Sequence, residues 1–265
     1  MLLQDRVAII TGAGQGIGLG IATKFAQEGA TVIIGELVED RGQQAANRLK
    51  EQGYRAQAIP LDVAKRESCA ALVSDVTAAH GRIDILVNNA GIFFLHKSED
   101  MPEADWRAQI DVMLNGVFFM TQAAARVMIP RRGGCVVSIA SICGMGGWPM
   151  RSAYSAAKAG VIALTELLAA EWAEFNIRLN CVSPGVTRTE MVDDTVKSGG
   201  ASFAKYFRRT PLGRLAEVDE IANTVLFLAS DRASFVTGQN LRVDGGWVPW
   251  GNLRCLGFRE DESGG

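Results

Sequence analysis

Short β-branched apolar runs alternate along the chain with longer segments in which apolar residues recur at helical spacing. The runs cover residues 7–10, 31–34, 56–59, 83–87, 135–139, 177–182 and 240–243. Because they are apolar almost throughout, they predict parallel strands covered on both faces. The helical segments are 17–28, 39–52, 67–80, 106–128, 153–175 and 218–229. Parallel neighbours need crossover connections, so this order predicts an α/β fold: one doubly wound, seven-stranded parallel sheet of the Rossmann type with helices on both faces. No Pro/Ser-rich linker divides it, and a single domain over residues 1–265 is expected. Two segments break the alternation. Residues 188–215 are polar, contain Gly199, Gly200 and Pro211, and predict a helical flap. Residues 247–265 form a C-terminal extension. Its Trp247, Val248, Trp250, Leu253 and Leu256 predict packing on some surface, a neighbouring subunit being one choice.

Composition narrows the class. Of 265 residues, 48% are hydrophobic and 21% charged, as in ordinary globular proteins. Glycine is in excess at 29 residues, but without a collagen period and with only 7 prolines, so the glycines belong to turns and close approaches in an ordered fold. A net charge of −2 with no basic stripe argues against a nucleic-acid partner. The five scattered cysteines (Cys69, Cys135, Cys143, Cys181 and Cys255) predict reduced thiols of a cytoplasmic protein rather than a disulfide framework. Residues 1–6 lack the cationic and apolar regions of a secretory leader. The uncharged stretch 133–150 holds too many glycines and serines, with Pro149, to make a membrane helix. Two isolated histidines, His80 and His96, give no metal site.

Chemistry enters where the first strand runs into Thr11, Gly12, Ala13, Gly14, Gln15, Gly16, Ile17 and Gly18 and a helix begins. Glycines there let the chain turn sharply, so that free N–H groups and the helix dipole can meet a pyrophosphate. A glycine-rich turn with no ligand is the alternative that position after strand one disfavours. At the end of strand two, about twenty residues on, stands Glu36. A carboxylate there accepts hydrogen bonds from ribose hydroxyls and repels a 2′-phosphate, which predicts NAD over NADP. Tyr154 and Lys158 are one turn apart on one helix face, where a neighbouring ammonium would favour the phenolate and lower the tyrosine pKa. By itself that spacing occurs in many helices.

The loop's spacing of glycines resembles that of the short-chain dehydrogenase/reductase family, and the resemblance extends over about residues 5–246. Asn88, Asn89, Ala90 and Gly91 match its Asn-Asn-Ala-Gly; Asp62 and Val63 match the pair flanking the adenine; Pro184, Gly185, Thr187 and Thr189 match the segment holding the nicotinamide carboxamide. The resemblance implies a catalytic set of Asn115, Ser141, Tyr154 and Lys158. Tyr154 would be general acid/base, Ser141 would hold the substrate oxygen, and Lys158 would also bind the nicotinamide ribose. Asn115 would hold a relay water. In NADP-using relatives the residue before the second glycine, or just after strand two, is often basic; Gln15 and Leu37 stand there. The implied substrate pocket includes Phe93, Phe94, Cys143, Met145, Trp148 and Arg151, with Lys205, Arg208 and Arg209 from the flap. Aromatic rings beside a cation suit a sugar, sugar acid or polyol. A solvent-facing Arg151 is the plain alternative. A 3-oxoacyl-thioester reductase shares every motif but usually takes NADPH, and a non-catalytic nucleotide-binding regulator would have no need of Ser141, Tyr154 and Lys158 together. The resemblance also implies a homotetramer.

Overall fold

The computed structural model describes residues 1–190, 192 and 203–250. Seven strands form one parallel sheet in the order β3-β2-β1-β4-β5-β6-β7. They are β1 (Val7–Thr11), β2 (Thr31–Glu36), β3 (Ala56–Pro60), β4 (Ile85–Asn88), β5 (Gly134–Ile139), β6 (Ile177–Pro184) and β7 (Asn240–Val243). The helices are α1 (Gly16–Gln27), α2 (Glu39–Glu51), α3 (Arg66–His80), α4 (Glu103–Ile110), α5 (Gly116–Arg131), α6 (Ser152–Trp172), α7 (Phe203–Arg209) and α8 (Val218–Ala229).

Alternation along each central strand divides the core into two layers. Ala8, Ile10, Val32 and Ile34 pack with Ile21 and Phe25 of α1 and Val225 of α8. Ile9, Ile33 and Leu86 pack on the other face with Leu72 of α3, Met120 of α5 and Leu168 of α6. Burial on both faces is why these strands read as continuous apolar runs. The edges differ: Gln57 and Pro60 of β3, and Leu241 and Arg242 of β7, are exposed.

Two expectations are corrected. The fourth strand begins at Ile85 rather than residue 83, because Arg82 and Ile83 precede Asp84, whose carboxylate turns back to accept from Val7 N at 2.8 Å. The helix expected over residues 106–128 starts earlier and is interrupted by a π-turn, Asp111–Asn115, between α4 and α5. There Asn115 Nδ2 donates to Asp111 Oδ1 at 2.8 Å. Two helices, Glu103–Arg131 with this π-turn and Ser152–Phe175, are long and apolar enough to cross a membrane, yet here they lie against the sheet and each other.

The flap is pinned at its base. Thr187 bridges Ala216, Arg188 N donates to Ala216 O at 2.8 Å, and Ala216 N donates to Val186 O at 3.0 Å. Within it α7 is helical, as expected; residues 191 and 193–202 lie outside the described residues. The start of the C-terminal extension packs on its own chain. Trp247 stacks on Trp148 at 5.2 Å between ring centroids, and Arg209 of α7 donates to Trp247 O at 2.9 Å. Leu253, Cys255 and Leu256 lie outside the described residues.

Candidate active site

The sheet's strand order reverses between β1 and β4, and ligands of such sheets bind beyond the strand ends at that point. A cavity of about 390 Å³ opens there. Side chains from three neighbouring strands brace it. Thr11 Oγ1 accepts from the N–H groups of Asn89 and Ala90, both at 3.0 Å. Asn89 Nδ2 donates back to the carbonyls of Thr11 and Gly12, also at 3.0 Å. Asn88 Nδ2 ties β4 to Thr121 of α5 at 2.9 Å and to Ser138 of β5 at 3.2 Å. This network fixes the glycine loop against β4. Gly12, at φ +62°, lies so close to it that a Cβ would stand 2.8 Å from the Cα of Ala90.

The loop fits the pyrophosphate of a dinucleotide. Gln15, the residue capping α1, is extended and makes no side-chain capping bond, and no acidic residue stands in the first turn. The first N–H groups of α1 therefore have no side-chain partner and point at the cavity mouth. Glu36 ends β2 at the cavity wall. Its side chain is 4% exposed and accepts from Gly14 N at 3.1 Å, from Val38 N at 3.2 Å and from Arg41 Nη2 at 2.6 Å.

The other end of the cavity holds the polar trio. Ser141 follows β5 and caps the turn Ile142–Gly144, its hydroxyl accepting from Cys143 N at 3.1 Å. That turn presses on α6: a Cβ on Gly144 would meet the backbone of Lys158 and Ala159 at 2.8–2.9 Å. Tyr154, in the first turn of α6, lines the cavity with Ser141 and meets the ring of Phe93 edge-on at 5.1 Å. Lys158 is one turn further on. Its Nζ donates to Ile139 O at 2.6 Å and lies 5.8 Å from the centre of the Tyr154 ring.

Burial decides the ionisation of this pair. It pushes the Tyr154 phenol up to about 12, against the smaller opposing effects of Ser141 and Arg151. It pulls the Lys158 ammonium down to about 8. The expected lowering of the tyrosine pKa is therefore corrected: in the protein alone, desolvation of the phenolate is the largest effect, and it raises the phenol. Burial likewise raises the Cys143 thiol, which stays neutral.

Most sequence-predicted residues meet in this one cavity. Gly12, Gln15, Gly16, Ile17, Glu36, Asp62, Val63, Asn89, Ala90, Gly91, Pro184, Gly185, Thr187 and Thr189 line it, as do Ser141, Tyr154, Lys158, Phe93, Cys143, Trp148 and Arg151. Two of them do not. Gly18 is buried beneath the loop, where a Cβ would run into Asn89 Nδ2 and Gly12 O, so its contribution is to the close fit of loop and helix. Asn115 is held in the π-turn by Asp111, outside the cavity lining.

At the outer wall Arg151 lies over the rings of Phe93 and Trp148, 5.7 Å from each centre, with its Nη1 on Pro149 O at 2.9 Å. Arg209 turns to Trp247 instead, and His96 pairs with Asp105 at 2.7 Å. No group of metal-ligating side chains occurs among the described residues.

The sequence reading missed Arg41, Met113 and Val186, which also line the cavity. Arg41 had a legible signal. Only Leu37 and Val38 separate β2 from α2, so the first turn of α2 must fold back over the glycine loop.

A family model described as Enoyl-(Acyl carrier protein) reductase matches residues 12–248. The chain is 40% identical over 248 residues to 3-oxoacyl-[acyl-carrier-protein] reductase FabG of Thermotoga maritima, covering 94% of this chain and all of the relative. It is 37% identical over 247 residues to the NAD-dependent glycerol dehydrogenase of Listeria innocua, covering 93% and 95% of the two chains. A gluconate 5-dehydrogenase from Burkholderia cenocepacia, solved in complex with NADP and tartrate, superposes with a TM-score of 0.89 at 38% identity, covering 93% of this chain and 96% of that one.

Proposed function

The chain belongs to the short-chain dehydrogenase/reductase family, whose members act on alcohols and ketones, and on that footing we propose an NAD(H)-dependent oxidoreductase of sugars, sugar acids or polyols. One observation carries the substrate class: the cavity that holds Ser141, Tyr154 and Lys158 is also lined by Phe93, Trp148 and Arg151, whose guanidinium lies 5.7 Å from the centre of each ring. Planar rings cover the apolar faces of a polyol, and a guanidinium takes a carboxylate in two parallel bonds. The relatives named for glycerol and gluconate point the same way. The acyl-thioester reductase reading has the Thermotoga relative in its favour.

Within this reading Gly12, Gln15, Gly16 and Ile17 hold the dinucleotide backbone, Asp62 and Val63 flank the adenine, Glu36 takes the ribose hydroxyls, and Pro184, Gly185, Thr187 and Thr189 hold the nicotinamide carboxamide. When bound, the nicotinamide supplies the two-electron acceptor or donor. Ser141 donates a hydrogen bond to the substrate oxygen and stabilises charge developing there. Tyr154 accepts the hydroxyl proton during oxidation and returns one to the oxygen during reduction. Lys158 keeps positive charge beside the phenol, and Asn115 holds the relay water behind it.

The deciding experiment is a spectrophotometric screen of sugars, polyols, hydroxy acids, secondary alcohols and a 3-oxoacyl thioester, each with NAD(H) and NADP(H). Turnover of a hydroxy acid or polyol, with KM for the acids raised at least tenfold by Arg151→Gln, is the expected result. Turnover confined to the thioester would overturn it in favour of the acyl reductase.

The same reading places the protein in the cytoplasm, which the four buried free cysteines support. It also includes a homotetramer. Exposed Trp106 of α4, Leu167 of α6 and Phe235 are apolar surface that subunit contacts would cover. Light scattering at micromolar concentration is expected to give four times 28.4 kDa; a monomer would refute it.

A further inference from the structure

We propose that Trp247, which lies outside the cavity lining, is a positioning residue for substrate: it holds Trp148, and through Trp148 the guanidinium of Arg151, where they meet a sugar acid. The proposal rests on the substrate reading given above and adds to it the residue that sets the aromatic wall.

The wall does not place itself. The loop that carries Trp148 is anchored at Met145, whose N–H donates to Ile142 O at 3.1 Å, and at Met150, whose carbonyl accepts from His96 N at 3.2 Å. Between these points a Cβ on Gly146 or Gly147 would meet nothing within 4 Å. Two glycines in open space leave the backbone free to vary, so the indole of Trp148 takes its place from what it stacks on. Its partner is Trp247, with ring centroids 5.2 Å and planes 21° apart.

Trp247 is the better held of the two. It is 8% exposed. Gly245 and Gly246, at φ +59° and +86°, turn the chain after β7. The Asp244 carboxylate closes that turn by accepting from Gly246 N at 2.9 Å and Val248 N at 2.8 Å. The flap helix α7 holds the same residue: Arg209 lies 4.8 Å from the centre of the indole and donates to the Trp247 carbonyl at 2.9 Å. A file of contacts thus runs from Arg209 through Trp247 and Trp148 to Arg151, Phe93 and the ring of Tyr154. Loss of the Trp247 ring breaks the file at its centre and lets Trp148 and Arg151 turn toward water. The penalty is selective. A guanidinium with a preset direction matters to a carboxylate, which takes two parallel bonds from it, and little to a neutral hydroxyl.

D-gluconate and D-sorbitol test this as a matched pair, since they differ only in a carboxylate in place of a hydroxymethyl group; acetoacetyl-CoA is the third probe. Initial rates of the full chain are measured for each, with NAD(H) and NADP(H). Trp247→Ala is expected to raise KM for gluconate about tenfold and for sorbitol less than threefold, with kcat nearly unchanged. NADH affinity within twofold of wild type shows that the variant is folded. Trp247→Leu, which keeps apolar bulk without a planar ring, should lose as much as alanine, and Trp247→Phe, which still stacks, should recover most of the loss. In an Arg151→Gln background Trp247→Ala should add less than twofold, because both changes act through one guanidinium. Equal KM changes for gluconate and sorbitol, no change for either, or full additivity with Arg151→Gln overturns the role of Trp247 and leaves the substrate reading standing. Wild type that turns over sorbitol but not gluconate does the same. Wild type that acts on neither, or on acetoacetyl-CoA alone, overturns both.

Discussion

Tyr154→Phe is expected to lower kcat by about 10²–10⁴-fold, the usual contribution of a positioned proton donor or acceptor, while nucleotide affinity stays within about threefold. The substitution removes one hydroxyl from a side chain whose ring is held by Phe93 at 5.1 Å and whose place at the start of α6 does not depend on that hydroxyl. The loss therefore measures chemistry rather than folding. The phenol's position near 12 adds a direction to the pH dependence. At neutral pH Tyr154 is protonated, the form that donates to a carbonyl oxygen. Reduction is thus expected to be nearly flat through neutrality, whereas oxidation, which needs the proton acceptor, is expected to accelerate as pH rises from 7 toward 10. Stopped-flow rates in both directions check this. A Tyr154→Phe enzyme with near-full turnover would remove the residue from the mechanism.

The sheet was legible because its central strands are buried on both faces, and an element covered on both sides writes its burial into every residue. β1, Val7–Thr11, is buried at all five positions, and no amphipathic alternative competes with it. The catalytic corner was legible for another reason. Tyr154 and Lys158 lie on one helix, Ser141 follows the strand before it, and spacing along the chain maps directly onto distance. What escaped depends on contacts between elements. The π-turn at Asp111–Asn115 is set by packing of α4 and α5 against their neighbours, which hydrophobic periodicity does not encode. Arg41 escaped because it stands five residues beyond Glu36, and only the fold-back of α2 brings its guanidinium to the carboxylate. The tyrosine's pKa escaped because a pairwise rule counts the ammonium and omits the desolvation of both partners.

That omission leads to the second large effect. Lys158→Met is expected to lower kcat by at least about 10²-fold while making the protein more stable at pH 7. Lys158 is 4% exposed, and burial brings its ammonium from 10.5 in the unfolded chain to about 8 in the folded one. Between those values the unfolded chain binds more protons than the native protein, so this group makes stability rise with pH from about 8 to 10.5, and its full penalty operates below 8. A displacement of this size corresponds to about 3 kcal/mol. Methionine has nearly the same shape and carries no charge, but it forfeits the bond from the ammonium to Ile139 O, worth about 2 kcal/mol for a charged donor. The net gain at pH 7 is about 1 kcal/mol, or a Tm higher by about 2–4 °C for a chain of this size. The gain should shrink as pH rises above 8. The comparison belongs between pH 7 and 10, because above 10 the unfolded chain's Tyr154 ionises before the native one and lowers the stability of both proteins. Denaturant unfolding of wild type and variant at pH 7, 8, 9 and 10 measures it. A variant that is less stable at pH 7, or an advantage that does not change with pH, would mean that the Lys158 charge costs the fold nothing. The stability difference would then come from packing alone.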